Sequence, residues 1–217
     1  GIPTFEFVGT YVGHYKAIAN QEIELKEAGQ LFSNLIMILN SVFGNQYLAP
    51  LMHYRQCFGD YRILDFLIKL DNLLSVMWLT GKRTVQTRIF IILRKMDDLV
   101  LENKGDVRLI ADAFLSSDLL KYEYDDDKAS TIVEIEEFFD MITNEDWGNY
   151  AGTRINKTRY LLLKLDLIYG ALTTTLQFDR KTSSVEHIMP RKIEGSNWRI
   201  DPKFHSQYVH KLGNIVL

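Results

Sequence analysis

Helical periodicity constrains the fold of this chain more than any other feature. Apolar residues recur three and four positions apart along most of the first 175 residues, and strand-like alternation is scarce there. One apolar face begins at Ile63 and stops at Gly81, a residue type that commonly ends helices. Further patterns predict helices from Val85 to about Glu102 and over Arg154–Leu172, the latter buried on more than one side. The first part of the chain is therefore expected to be all-α.

Two polar segments interrupt the apolar pattern of this helical part. The run Asp125–Asp127 is typical of an exposed turn, since consecutive carboxylates do not converge on one ion. Thr131 and Glu134 then have the spacing of a capping box, which predicts a helix through Ile142.

The pattern changes at Thr173–Thr175, where β-branched residues accumulate and the helical period is lost. Two strands are predicted, Ser183–Met189 and Leu212–Leu217, separated by a polar loop that contains Trp198 and Pro202. We therefore divide the chain into a helical scaffold domain, residues 1–175, and a small module, residues 176–217.

Several classes of protein are disfavoured by composition. No stretch approaches the roughly 18 consecutive apolar residues that a membrane span needs, so no membrane association is expected. The first residues lack the pattern of a signal peptide and are interpreted as a boundary with a preceding segment. The lone Cys57 cannot form an intramolecular disulfide, which fits a cytoplasmic location, and is interpreted as a small buried hydrophobe.

Charge is distributed unevenly along the chain. Residues 180–217 contain seven basic and three acidic residues, whereas residues 1–179 contain 18 basic and 25 acidic ones. A basic segment on an acidic body favours contact of a polyanion with that segment alone.

The two strand segments carry the most informative motif. The first contains Glu186-His187-Ile188-Met189-Pro190, Trp198 follows in the loop, and the second reads Leu212-Gly213-Asn214-Ile215-Val216-Leu217. This order resembles the HNH branch of the His-Me finger nucleases. It is most similar to the C-terminal nuclease domain of GmrSD-like modification-dependent restriction endonucleases and SspE-like anti-phage defence proteins, with Val216 in place of the usual Thr. The Arg159–Leu162 segment and Leu165-Asp166 also resemble the helix that precedes the motif in that family.

The resemblance implies a mainly α protein that ends in a C-terminally truncated ββα-metal module with endonuclease activity. His187 would be the general base, a role suited to a side chain whose free pKa is about 6.5. Glu186 would bind one Mg²⁺ or Mn²⁺, and Asn214 would order the loop and orient His187 through its amide. The remaining metal ligand, an Asn or His on a helix after the second strand, is expected beyond Leu217.

The same resemblance implies DNA, in particular phage DNA, as the substrate and a nucleotide-hydrolysing sensor domain N-terminal to this chain as a partner. Four basic residues bracket the motif and are candidate contacts for the DNA backbone, although a solvated charged face explains them equally well: Arg180, Lys181, Arg191 and Lys192. Among the nearby residues, His205 and His210 are expected to be ordinary surface histidines, with contact to a phosphate or the metal as the alternative. Trp198 is expected to close the loop onto the helical body, with stacking on a base as the alternative. His14 and His53 are assigned no role.

Two alternatives remain open on the sequence. The chain could be a helical interaction or regulatory module whose nuclease hairpin is degenerate and inactive. It could also cut RNA, because the motif describes a phosphodiester site and not a sugar. The DNA modification recognised, nicking versus double-strand cleavage, and the oligomeric state are not assigned.

Overall fold

The protein is represented by a computed structural model that describes residues 4–20, 22–25, 29–81, 85–103, 105–117, 135–149, 152, 154–170 and 174–217. The chain divides into two compact units. The first comprises Gly1–Asn40 and Gly44–Val133, and the second comprises Ser41–Phe43 and Glu134–Leu217. No helix in the described ranges is long and apolar enough to cross a membrane.

Helices build the first unit, as its apolar periodicity predicts. They are α1 (Phe5–Ala19), α2 (Gly29–Ile38), α3 (Leu48–Phe58), α4 (Ile63–Thr80), α5 (Val85–Glu102) and α6 (Val107–Leu115). The predicted bounds of α5 are confirmed. The predicted stop at Gly81 is also confirmed, because this residue has a φ of 67° and donates its backbone N–H to Met77 O at 3.0 Å.

Helix α3 is the centre of the first unit and contacts α1, α4, α5 and α6. Its Tyr54 ring stacks on Phe66 of α4, with the ring centroids 4.3 Å apart, and Phe58 and Phe114 complete a buried aromatic cluster. The Tyr54 hydroxyl donates to the carbonyl of Tyr61 at 2.9 Å, so its polar tip is satisfied inside the core. This packing fixes the rotation of α3 about its own axis, and with it the residues of α3 that lie toward α1 and α5.

The second unit is also mainly helical. It contains α7 (Ile135–Asn144), α8 (Arg154–Tyr169), β1 (Glu186–His187), α9 (Pro202–Tyr208) and β2 (Ile215–Val216), with a 3-10 turn at Leu212–Asn214. The mainly α class is confirmed. Helix α8 begins at the predicted residue and has four consecutive buried side chains, Tyr160 to Leu163, in agreement with burial on more than one side.

The two predicted strands pair, but they are shorter than expected. β1 and β2 are antiparallel, with Glu186 opposite Val216 and His187 opposite Ile215. After β1, Ile188 N still donates to the backbone carbonyl of Asn214 at 2.9 Å, but both backbone groups of Met189 bond to the Asn214 side chain, and the ladder ends there.

Helix α9 interrupts the connection that the sequence predicted to be a continuous polar loop, so that prediction is wrong. Asp201 caps the helix by accepting from Phe204 N at 2.9 Å, and Pro202 occupies its first turn. Both signals are present in the sequence, but none of the seven helical residues is buried, so no apolar period marks the helix. The Asp125–Asp127 turn and the Thr131–Glu134 capping box lie outside the described residues.

Candidate functional site

His187 lies on β1 with its side chain partly buried. The residues two positions to either side, Val185 and Met189, are buried, as is Ile215 opposite His187 on β2. These apolar contacts anchor the hairpin and fix the position of the His187 backbone.

His210, two residues after the end of α9, approaches the His187 side chain. The Nε2 atom of His187 lies 3.2 Å from His210 Nδ1, and the rings meet edge to face with centroids 5.3 Å apart. The expectation that His210 is an ordinary surface histidine is therefore wrong. No sequence pattern indicates this pair, because the two residues come together only when the long connection folds back.

Gly148 packs against this histidine pair where the two rings meet. Its N–H donates to the carbonyl of His210 at 2.8 Å. A Cβ atom at this position would lie 2.6 Å from His187 Nε2 and 3.1 Å from both His210 Cα and Ile215 Cγ2. A side chain at this position would therefore have to displace the His187 ring, a constraint that the sequence did not reveal.

The turn that carries Gly148 is fixed by its neighbours. Trp147 is buried and donates its indole N–H to Ile142 O at 2.8 Å, while the fully buried Thr158 of α8 donates its hydroxyl to Trp147 O at 2.8 Å. Lys211 binds the preceding segment through the Asn144 carbonyl and the Asp146 carboxylate. Helices α7 and α8 therefore support the wall of the site.

The environment of His187 lowers its pKa below the ordinary value of 6.5. Burial is the largest cause, followed by the positive potential of His210 and Arg191, and Glu186 opposes the shift. The imidazole is therefore neutral at neutral pH and able to accept a proton.

Glu186 precedes His187 and is exposed. One of its carboxylate oxygens, Oε1, accepts a hydrogen bond from Ser184 Oγ at 2.7 Å. Successive strand residues face opposite sides, so the dipeptide presents a carboxylate and an imidazole in two directions.

Asn214 joins the two ends of the connection between the strands. Its Oδ1 accepts from Met189 N at 2.7 Å, and its Nδ2 donates to Met189 O at 3.2 Å and to Val209 O at 2.8 Å. Its backbone carbonyl also accepts from Ile188 N at 2.9 Å. The bonds to Ile188 and Met189 lie one and two residues after His187 in the chain, and the bond to Val209 reaches the far end of the connection.

The four basic residues occupy two exposed segments. Arg191 and Lys192 follow Pro190 directly after the motif, and the charge of Arg191 acts on His187. Arg180 and Lys181 lie in a turn begun by Asp179, whose carboxylate accepts from the backbone N–H of Lys181 at 2.9 Å. Of these four residues, Arg191 alone has an interaction with His187 in the described part of the chain.

Two further residues of the connection differ from expectation. His205 is not free on the surface, because its Nε2 bonds to the carbonyl of Pro190 at 2.7 Å and ties α9 to the end of the motif. Trp198 is 47% exposed, so it does not close the connection onto the helices. The bonds of His205 to Pro190 and of Asn214 to Val209 hold the connection against the ends of the hairpin instead.

The fold and the site thus define a mainly helical protein whose second unit holds a histidine on a short β-hairpin, beside a carboxylate and an asparagine. Residues 132–217, which include this hairpin, match the family model described as GmrSD restriction endonucleases, C-terminal domain. The match confirms the resemblance predicted from the motif and relates this part of the chain to a family of restriction endonucleases. No curated protein and no solved structure matches the chain.

Proposed function

We propose that the second unit is an HNH-type, metal-dependent DNA endonuclease module. The observation that supports this proposal best is the position of His187, which is held between His210 and Gly148 next to the exposed Glu186. The hairpin would form the ββ part of a ββα-metal unit. The family match to restriction endonucleases supports the reaction class.

His187 would act as the general base toward water. When its Nε2–H donates to His210 Nδ1, the lone pair that accepts a proton is on Nδ1. The lowered pKa keeps this nitrogen unprotonated near pH 7, as a base in phosphodiester hydrolysis requires. His210 is then a positioning residue that selects the tautomer of His187.

Glu186 fits the role of ligand to one Mg²⁺ or Mn²⁺, because its carboxylate is exposed and offers the hard oxygen that these ions prefer. Such ions commonly take one or two carboxylates and fill their remaining positions with water and substrate phosphate. When bound, the ion would stabilise negative charge on the phosphate in the transition state.

The remaining side chains would bind and position the substrate. Asn214 would keep His187 aligned through its backbone contacts, and Arg191 and Lys192, with Arg180 and Lys181, would contact backbone phosphates. We further propose that the substrate is phage DNA and that the module serves a bacterial, cytoplasmic defence protein in which a nucleotide-hydrolysing sensor controls cleavage.

The test is cleavage of supercoiled plasmid with Mg²⁺ or Mn²⁺ near neutral pH, comparing the wild-type protein with His187→Ala, Glu186→Gln and an EDTA control. Loss of a general base typically lowers the rate by about 10² to 10⁴-fold, and this loss is expected for His187→Ala. His14→Ala, in the first unit, is the matched histidine control and should cleave at the wild-type rate.

Three other results of the cleavage assay would contradict or correct this proposal. Cleavage that persists in His187→Ala would contradict the assigned base. No cleavage of DNA or RNA by the full-length protein would reject the endonuclease and favour a regulatory module with an inactive hairpin, provided that circular dichroism shows a folded protein. Cleavage of RNA but not DNA would correct the substrate.

A further inference from the structure

A second cluster of chemically active side chains lies in the first unit. His53 and Cys57 are one helical turn apart on α3, and Asp97 is on α5, which packs against α3. The His53 Nε2 atom lies 2.9 Å from Asp97 Oδ1 and 3.7 Å from Cys57 Sγ, and the three atoms all lie within 4.8 Å of one another. In the described part of the chain these residues form the group of three that could hold an ion.

The arrangement is not that of a nucleophilic triad. In such a triad the carboxylate and the nucleophile bond to opposite nitrogens of the histidine. Here Cys57 and Asp97 both approach Nε2, while Nδ1 lies 2.6 Å from the Tyr11 hydroxyl of α1. Burial and the nearby Asp97 also raise the pKa of the Cys57 thiol to about 11, which disfavours a free thiolate.

The same geometry suits a cation. A divalent ion between the three atoms reverses the local electrostatics, because it favours the thiolate and the carboxylate that otherwise repel each other. Histidines that bind metals usually contact an acceptor through their other ring nitrogen, and the Tyr11 hydroxyl is placed to accept from Nδ1–H. That tautomer leaves the Nε2 lone pair directed at the cluster.

We propose that His53 Nε2, Cys57 Sγ and Asp97 Oδ1 bind one Zn²⁺, with water in the fourth position. Imidazole, thiolate and carboxylate are the donors that zinc takes, at about 2.0–2.3 Å, with three protein ligands where a position stays open to solvent. On binding, the thiol proton of Cys57 passes to solvent and the imidazole proton resides on Nδ1.

Movement of a single exposed side chain is enough to form this site. Ligands of a tetrahedral zinc ion lie roughly 3.3–3.8 Å apart at these bond lengths, and the Sγ to Nε2 distance already agrees. The Asp97 oxygen lies 2.9 Å from Nε2 and within 4.8 Å of Cys57 Sγ, so it must move away from the former and toward the latter until both separations fall in this range. Its side chain is 58% exposed and can do so, whereas the His53 side chain is only 13% exposed and stays fixed by the core. The ion would join α3 to α5 and, through Tyr11, to α1.

The test uses Co²⁺ as a spectroscopic substitute for Zn²⁺. Since Cys57 is the one cysteine of the chain, a thiolate-to-cobalt charge-transfer band reports on this site alone and is insensitive to ions bound at Glu186. The band should appear with wild-type protein, disappear on addition of Zn²⁺, and be absent in Cys57→Ser and Asp97→Asn. Asp98→Asn, which alters the neighbouring carboxylate on α5, is the matched control and should retain it.

Two further measurements separate metal binding from a merely structural cluster. Zn²⁺ should slow modification of Cys57 by a thiol reagent in the wild-type protein, and EDTA should restore the rate. Tyr11→Phe, which removes the contact to Nδ1, should weaken Zn²⁺ binding about ten- to a hundredfold. Absence of the charge-transfer band together with a thiol reactivity that Zn²⁺ leaves unchanged would overturn the proposal, and an equal loss in Asp98→Asn would overturn the ligand assignment.

Discussion

Gly148 and His187 come so close that the backbone at position 148 leaves no room for a side chain. A Cβ atom there would lie 2.6 Å from His187 Nε2, on the side where His187 meets His210. The position of the proposed base therefore depends on a residue far from the motif, in the turn between α7 and α8.

The first prediction follows from this close approach. Gly148→Ala should displace the His187 ring and lower plasmid cleavage by about a hundredfold, because displacements of about 1 Å have effects of that size. Gly213→Ala is the matched control, since a Cβ at Gly213 meets nothing within 4 Å, and it should retain activity. Equal activity in the two variants would show that His187 does not need its observed position.

The second prediction concerns Asn214. Asn214→Asp keeps the acceptor for Met189 N but removes both N–H donors and directs a carboxylate at two carbonyl oxygens. Each net hydrogen bond contributes about 1 kcal/mol, so the free energy of unfolding should fall by about 2 kcal/mol or more. Urea unfolding at neutral pH measures the change, and Asn197→Asp, at an exposed position, should leave the midpoint unchanged.

The third prediction concerns the pH dependence of cleavage. Because the base works unprotonated, activity should be lost as the pH falls through the His187 pKa, which lies below its ordinary value of 6.5. Arg191→Gln removes a positive charge that lowers this pKa, so the acid limb of log kcat/KM should move to higher pH. Lys192→Gln, which removes the neighbouring positive charge, should change the maximum value of kcat/KM but not the pH at the midpoint of the acid limb. Equal displacement in both variants would contradict the specific effect of Arg191.

The fourth prediction concerns the salt dependence of DNA binding, measured by anisotropy of a labelled duplex without divalent cation. Removing one cation that binds a phosphate should reduce the slope of log affinity against log salt concentration by roughly 0.9. The double variant Arg191→Gln/Lys192→Gln removes two such cations and should reduce the slope by about twice this amount. Comparison with Arg180→Gln/Lys181→Gln tests whether the Asp179 turn also binds the DNA backbone. Lys69→Gln, an exposed cation of the first unit, should have no effect.

The sequence predicted those features that depend on local patterns. The bounds of α5, the end of α4 at Gly81 and the pairing of the segments around His187 and Ile215 follow from periodicity, a glycine stop and a motif. Helix α9 was missed because a short exposed helix has no apolar period, although Asp201 and Pro202 mark its start.

Contacts between distant segments could not be read from the sequence. The pairing of His210 with His187 and the close approach of Gly148 arise only after the connection folds back. The one-turn spacing of His53 and Cys57 is visible in the sequence, but Asp97 and Tyr11 reach them only through the packing of α5 and α1 on α3. The interpretation of Cys57 as an ordinary small hydrophobe lacked those neighbours.

The bonds of Asn214 to both Met189 and Val209 have a consequence for how the length of the connection between the strands can vary. Since one side chain holds the two ends of the connection together, the largely exposed stretch from Arg191 to Asp201 can lengthen or shorten without altering the register of the hairpin. Doubling the length of such a loop costs only about 0.6 kcal/mol. Insertions grafted into this stretch could therefore change which nucleic acid is engaged, while the reactive centre keeps its alignment.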